Sequence, residues 1–226
     1  MGEPRLALFG DSTLVLQLGD TIDPIVNARV IALAAAAREA GWAGVRDIVP
    51  TFRSVAVAFD PVRADAARIA ADLEHLARVV EPIVEDREPL AIPVCYGGDL
   101  GPDLDALSHG AGCRREDVVD LHASVTYRVY MLGFVPGFAY MGVVDSRIRA
   151  SRHTAPRVRV PAGSVGIAGA QTAIYPMETP GGWQIIGRTP VAVCDLARAE
   201  PFLFRAGDRV RFEPIDRETF EGMARP

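Results

Sequence analysis

Residues 157–190 read RVRVPAGSVGIAGAQTAIYPMETPGGWQIIGRTP. Pro161, Pro176, Pro180 and Pro190 alternate with glycines and with short apolar pieces rich in valine and isoleucine. Proline removes backbone donors and glycine costs helix entropy, so no helix persists through this run. It is too apolar for a disordered linker. The run is therefore expected to form short strands joined by tight turns. Loops pinned to a sheet in this way are where binding sites are commonly built.

The pattern extends outward from this run. Val125–Leu132 lies upstream, and Val191–Cys194 and Val210–Pro214 lie downstream, all with strand character. Within the run itself, Val165–Ala168, Thr172–Tyr175 and Trp183–Ile186 read as strands. Many short strands with glycine and proline turns, and no further helix, predict a barrel or sandwich. Just before them, helical patches are expected at Asp103–His109 and Arg115–His122, joined by the turn Gly110–Cys113.

The first third of the chain has another rhythm. Leu6–Phe9 and Leu14–Leu18 flank Gly10-Asp11-Ser12 and predict a hairpin. Asp23 is an N-cap candidate with Pro24 at the first helical position. Val26, Val30, Leu33 and Ala37 follow at helical spacing, and Gly41 is a stop signal. Val45–Val49 and Ser54–Phe59 read as strands, Ala64–Val80 as a second helix, and Leu90–Cys95 as a further strand. The order ββαββαβ predicts an α+β sandwich with both helices on one face of a sheet. The charged segment Glu85–Glu88 before Pro89 marks a boundary. Residues 1–88 are then an α+β domain, and residues 89–226 a barrel domain with a short helical insert near 103–122.

Composition narrows the function. The chain has 226 residues and a formal charge of -5, with acids and bases mixed along it and no basic stripe of the nucleic-acid-binding kind. No apolar run approaches the roughly 20 residues of a membrane span, and the N-terminus lacks signal-peptide features. Cys95, Cys113 and Cys194 are odd in number and far apart, which suits a reducing compartment. A cytoplasmic, soluble protein is expected. All 24 basic residues are arginine, so an anion here is held by arginine, backbone N–H groups or a metal. No zinc motif of the HExxH or CxxC kind is present, and no metal is expected.

Several residues stand out. Phe134, Phe138 and Tyr140 sit in a turn-rich segment, where they make either a pocket wall or partner-binding loop, or an ordinary cover for the barrel end. Ser164 lies in AGSVG, close to a nucleophile elbow, but no helix follows it. It reads better as a turn hydroxyl or a ligand hydrogen bond. Arg128, Arg157, Arg159 and Arg188 fall on or beside predicted strands. Arg157 and Arg188, which adjoin the glycine–proline turns, are the preferred anion holders because guanidinium forks match carboxylates and phosphates. His122 ends a helix just before a strand, a place for a structural cap or a buried donor.

The blocks IPVCYGGDLGPDL (92–104), LHASVTYRVYMLGFVPGFAYMG (121–142), PRVRVPAGSVGIAG (156–169), QTAIYP (171–176) and PGGWQIIGRTP (180–190) resemble the family of 5-oxoprolinase B subunits. That family is also called allophanate hydrolase subunit 1, or the Kip-type inhibitor of a sporulation histidine kinase. The resemblance spans nearly the whole chain, with alanine at 173 where the family pattern suggests glycine. It implies an N-terminal α+β sandwich and a C-terminal cyclophilin-like barrel. It also implies partner subunits C and A, and ATP with magnesium as co-substrate for opening 5-oxoproline to L-glutamate. His122, Arg128, Arg157, Ser164, Gln171, Trp183 and Arg188 fall inside the matching blocks and are candidates for substrate or nucleotide binding. Gln171 suits the amide edge of a lactam because it both donates and accepts. The alternatives are a non-catalytic inhibitor of a histidine kinase and a subunit acting on allophanate in a urea-carboxylase-type enzyme.

Overall fold

The computed structural model describes residues 4–83 and 87–224. The chain divides into two compact units, residues 1–86 and 87–226. Glu85 and Asp86 of the charged boundary segment lie outside the described residues.

The first unit contains β1 (Arg5–Phe9), β2 (Thr13–Gln17), α1 (Pro24–Glu39), β3 (Val45–Pro50), β4 (Ser54–Phe59) and α2 (Ala66–Val79). Its antiparallel sheet has the order β1-β2-β4-β3. The start of α1 follows from its sequence. Asp23 leaves the helical conformation, and its carboxylate accepts the N–H groups of Ile25 and Val26 at 2.8 and 2.9 Å. Strand alternation sends Val55, Val57 and Phe59 to one face. There they form a core with Leu14, Leu16, Val30, Leu33, Ile69 and Leu73. Asn27 is buried on α1 and ties down the β3–β4 turn by donating to the carbonyls of Thr51 and Phe52.

One expectation about this unit is corrected. The strand Leu90–Cys95, read as the last element of ββαββαβ, is not in this sheet. As β5 (Leu90–Tyr96) it pairs in parallel with a strand at the far end of the chain and enters the barrel core through Ile92 and Val94. Its apolar pattern records that it is buried. The sheet it joins depends on long-range pairing, which periodicity does not encode.

The second unit continues with α3 (Leu104–Ala111), α4 (Arg115–Ala123), β6 (Thr126–Leu132), β7 (Ala139–Gly142), a single 3-10 turn (Ser146–Ile148), β8 (Arg157–Val160), β9 (Ser164–Ala168), β10 (Gln171–Ile174), β11 (Thr179–Gly181), β12 (Gln184–Arg188), β13 (Arg209–Pro214) and α5 (Arg217–Met223). Seven strands close into a barrel in the order β10-β7-β6-β13-β5-β12-β9. β8 and β11 form a separate two-stranded ribbon. Arg157 and Arg159 therefore sit on this ribbon and not on barrel strands. Val129, Met141, Val165, Ile167, Ile174, Ile186 and Phe212 fill the barrel, and Leu104, Leu107 and Val118 bring α3 and α4 into the same core. Truncating a residue such as Ile167 to alanine costs about 2–5 kcal/mol. At Gly163 the φ of +80° and the close approach of the Thr189 carbonyl leave no room for a side chain, so this turn requires glycine.

Two further expectations fail. A helix does follow the strands. Asp216 caps α5 by accepting the Thr219 N–H at 2.8 Å, and Phe220 anchors it beside Cys95 and Leu100. A helix this short buries only Phe220, too little for a periodic signal. Val191–Cys194 is not a strand; it makes one bridge, Cys194 with Phe202. Its apolar residues line a loop, because among the described residues no strand runs alongside to extend a ladder.

Candidate functional site

The β6–β7 connection carries the first part of the site. Gly133 N–H donates to the Phe138 carbonyl and Phe138 N–H to the Val135 carbonyl, which closes a compact turn. Phe134 adopts a φ of +70°, a left-handed conformation that costs a residue with a side chain about 1–3 kcal/mol. The strained turn points Phe134 outward, 62% exposed, while Phe138 is buried. Phe138 makes edge-to-face contacts with Phe134, Tyr140, Tyr175 and Trp183, at centroid distances of 5.5, 4.9, 5.2 and 5.5 Å. Such pairs add about 0.5–1.5 kcal/mol each beyond area burial.

These rings form one wall and the floor of a cleft of about 270 Å³, completed by the Gly181–Gly182 turn and by Arg152. Gly181 packs directly on the Tyr175 hydroxyl, so any larger residue there would displace the phenol. Burial pushes the Tyr175 phenol up, against an opposing Trp183 backbone N–H and the Arg152 charge, so at neutral pH the cleft presents a neutral hydroxyl. Burial raises Tyr140 as well, again opposed by Arg152. The Arg152 guanidinium stands 5.8 Å over the Trp183 ring, within cation–π range.

A charged cluster joins Arg157 of the β8 ribbon strand to Asp103 at the start of α3 and to His153 in the loop before β8. Asp103 is buried. Its backbone N–H donates to the Ile185 carbonyl, and its carboxylate accepts the Ile185 N–H at 2.6 Å. The same carboxylate accepts Arg157 Nη2 at 2.5 Å and lies 3.3 Å from His153 Nε2. Arg157 Nη1 and His153 Nε2 are buried without hydrogen-bond partners. The backbone N–H of His153 donates to the Gly182 carbonyl at 2.7 Å, joining this cluster to the turn that edges the cleft.

The other residues expected at a site are spread out. Arg188 donates through Nε to the Ala162 carbonyl and lines a second cleft of about 430 Å³ with Gly163, Pro176 and Cys194. Ser164 is buried on β9, in register with Arg188. Arg128 on β6 and Gln171 on β10 both pair with Gly142, so they flank a position without a side chain. Burial lowers the Arg128 pKa from its ordinary value.

His122 is inside the barrel and fully buried. Thr172 Oγ1 donates to the Gly166 carbonyl at 3.1 Å, so toward His122 Nε2, at 2.9 Å, it acts as acceptor. Nε2 therefore carries the proton, and Nδ1 accepts from the Tyr96 hydroxyl at 2.8 Å. Phe212 stacks on the ring at 4.6 Å. Burial pushes the His122 pKa down to about 3, so the ring stays neutral. Its hydrogen bonding is satisfied on both sides.

Thus Trp183 and the aromatic loop residues come together in one cleft, while Arg157, Arg188, His122 and the Arg128–Gln171 pair occupy four other places. Arg152 and His153 carry no signal of a site in the sequence, while Asp103 and Tyr175 lie inside the blocks 92–104 and 171–176 without being singled out by residue chemistry. No motif marks Arg152, and Asp103 reads only as the start of a helical patch. Among the described residues, no group of three or more histidine, cysteine, aspartate or glutamate side chains is placed to hold a metal ion. None of the helices among the described residues is long and apolar enough to cross a membrane.

Comparison with known proteins adds the family. Residues 4–204 match the model of the carboxyltransferase domain, subdomain C and D. The chain is 40% identical to the 5-oxoprolinase B subunit of Bacillus subtilis (strain 168), over 96% of this chain and 95% of that one. It is 38% identical to the Escherichia coli O157:H7 protein of the same name, over 95% and 97%. Urea amidolyase of Saccharomyces cerevisiae is 33% identical over 55% of this chain, which is 7% of that protein. The crystal structure of TTHA0988 superposes with a TM-score of 0.81 at 39% identity, over 90% of this chain and 40% of that longer one. The chain therefore belongs to the carboxyltransferase domain family, subdomains C and D, and within it to the 5-oxoprolinase B subunits.

Proposed function

We propose that this chain is the B component of an ATP-dependent 5-oxoprolinase, which opens 5-oxoproline to L-glutamate with a second barrel subunit, C, and a larger subunit, A. In this reading the first unit is a small α+β sandwich and the barrel is of the cyclophilin-like kind. Support comes from the near end-to-end match to relatives of that name, against partial coverage in the urea amidolyase match.

The structural observation that carries the reading is the cleft itself. Its volume of about 270 Å³ suits a small ring, and its walls offer ring faces and neutral phenols. Binding clefts are mostly apolar with a few placed polar groups, and this one fits that description. A five-membered lactam is a stable amide. ATP, delivered with magnesium, would phosphorylate the lactam oxygen and make the ring carbon electrophilic toward water. This chain would supply the shaped, partly dry surface that orients the ring. The remaining catalytic groups would come from C and A.

Reconstitution tests this. Purified chain, candidate subunits A and C, 5-oxoproline and magnesium ATP are mixed, and glutamate and ADP are measured. Glutamate release that requires this chain is the expected result. No glutamate in any combination, or ATP turnover driven by urea or allophanate in place of 5-oxoproline, would overturn the reading.

A further inference from the structure

We infer that Arg152 is the residue that reads the substrate carboxylate, and that the cleft beneath it is a specificity site for small carboxylated lactams over neutral amides. The inference rests on the 5-oxoprolinase reading and adds to it a residue and a chemical selectivity.

Arg152 differs from three of the arginines around it, and from Arg149, which also makes no ion pair among the described residues, in lining the cleft. Arg147 pairs with Asp145, Arg157 with Asp103, and Arg159 with Glu178. Arg152 has no carboxylate partner and no hydrogen bond among the described residues; what it touches is the Trp183 ring. Among the described residues it is also the only charged one lining the cleft. The cation is exposed at the rim, while the floor beneath it, made of Phe138, Tyr175 and Trp183, is buried. The Trp183 ring attracts the guanidinium at 5.8 Å while none of its N–H donors is used among the described residues. A guanidinium held this way presents a fork that matches a carboxylate bidentately.

The ligand follows from these parts. The rings accept apolar methylene faces, and the fork accepts an anion a few ångströms away. 5-Oxoproline has both in one small molecule: ring methylenes and a carboxylate on the carbon next to nitrogen. With the carboxylate on Arg152, the ring falls toward Phe138 and Trp183. A neutral lactam such as 2-pyrrolidinone would find the same rings but nothing for the fork. The preorganised cation thus selects by charge, and the rings by shape. Sequence position favours Arg157 for this role, but its Nη2 is already paired with Asp103 and it does not line the cleft.

The test uses the assembled complex with Arg152→Gln, which keeps a long polar side chain, and Arg152→Ala. Thermal unfolding of each variant is compared with the parent chain. Because Arg152 makes only the ring contact, both are expected to fold. KM for 5-oxoproline should rise about 10- to 100-fold, the worth of a lost charge-assisted carboxylate pair, with kcat changed far less. Arg152→Lys should recover part of the loss. 2-Pyrrolidinone should inhibit the parent complex weakly, and its inhibition should be unchanged in Arg152→Gln. If the parent complex makes glutamate and Arg152→Gln keeps its KM, the assignment of Arg152 falls while the enzyme reading stands. If the variants weaken co-elution of subunits A or C but leave KM alone, the cleft is a protein contact and the inference is overturned. If the parent complex makes no glutamate, both readings fall together.

Discussion

The barrel interior at His122 and the rim cleft at Trp183 are both clusters of aromatic and polar groups, yet they are built on opposite principles. Around His122 every donor meets an acceptor: Tyr96 hydroxyl to Nδ1, Nε2–H to Thr172, and Thr172 to the Gly166 carbonyl. At the rim, a strained Phe134 points outward and an arginine stands without a carboxylate. A closed polar chain fixes a fold, because each member becomes costly if its partner is removed. An open one leaves binding capacity for something else. A histidine in a family block is therefore not evidence of chemistry until its hydrogen bonds are counted.

The comparison can be broken at four points. The largest effect is expected from His122→Ala. It opens a cavity and orphans the Tyr96 and Thr172 hydroxyls, costing about 3–5 kcal/mol of barrel stability in urea unfolding. Reconstituted complexes that remain folded should keep their KM. A cost below about 1 kcal/mol would show that the interior chain is not a scaffold.

Next is Asp103→Ala, which removes the carboxylate from a partly exposed Arg157 and the cap from the Ile185 N–H. The loss is expected to be about 2–3 kcal/mol, reduced from the fully buried case because Arg157 retains some solvent. Since the cluster adjoins the Gly182 turn, KM should rise as well. An unchanged KM would separate the cluster from the cleft.

The third point is pH. His122 has a folded pKa of about 3, below its unfolded value of about 6.5. Between these values the unfolded chain holds the extra proton, so stability rises with pH. The contribution is complete above about 6.5 and is lost as pH falls toward 3, at roughly 1.4 kcal/mol per pH unit for one proton. Replacing His122 with glutamine should flatten the slope of unfolding free energy in this window by about one proton. An unchanged slope would mean that the ring is already charged in the folded protein.

The smallest effect is expected at Phe134→Gly. Glycine relieves the positive φ, so stability should hold or rise by up to about 1 kcal/mol despite the lost ring contact. Activity of the complex should fall, because the outward ring is the part kept at a cost. A variant with full activity would make Phe134 an ordinary loop residue.

Local chemistry made some features legible from residue order alone. Asp23 and Pro24 start α1 as their side chains require. The glycine–proline run at 157–190 makes short strands, because neither residue type permits a long helix there. The aromatic loop 134–140 stood out in the sequence, but only as either a pocket wall or partner-binding loop, or a cover for the barrel end; the structure puts its rings along the cleft. β5 was misplaced, α5 was missed, and Val191–Cys194 was overread. In each case the deciding surroundings are distant in sequence. β13 takes up β5, the Cys95–Leu100 surface holds α5, and the 191–194 segment makes a single bridge, to Phe202.

Residue order therefore determined most element types through local propensity, and the family and its barrel through long matching blocks. Only the tertiary structure decided which arginine is available. Arg152, Arg157 and Arg188 are chemically identical guanidinium groups. Folding brings Asp103 to Arg157 from 54 residues away and the Ala162 carbonyl to Arg188. It leaves Arg152 over a tryptophan ring without a counter-charge. Availability is a property of the neighbours that folding supplies, and those neighbours are not adjacent in sequence.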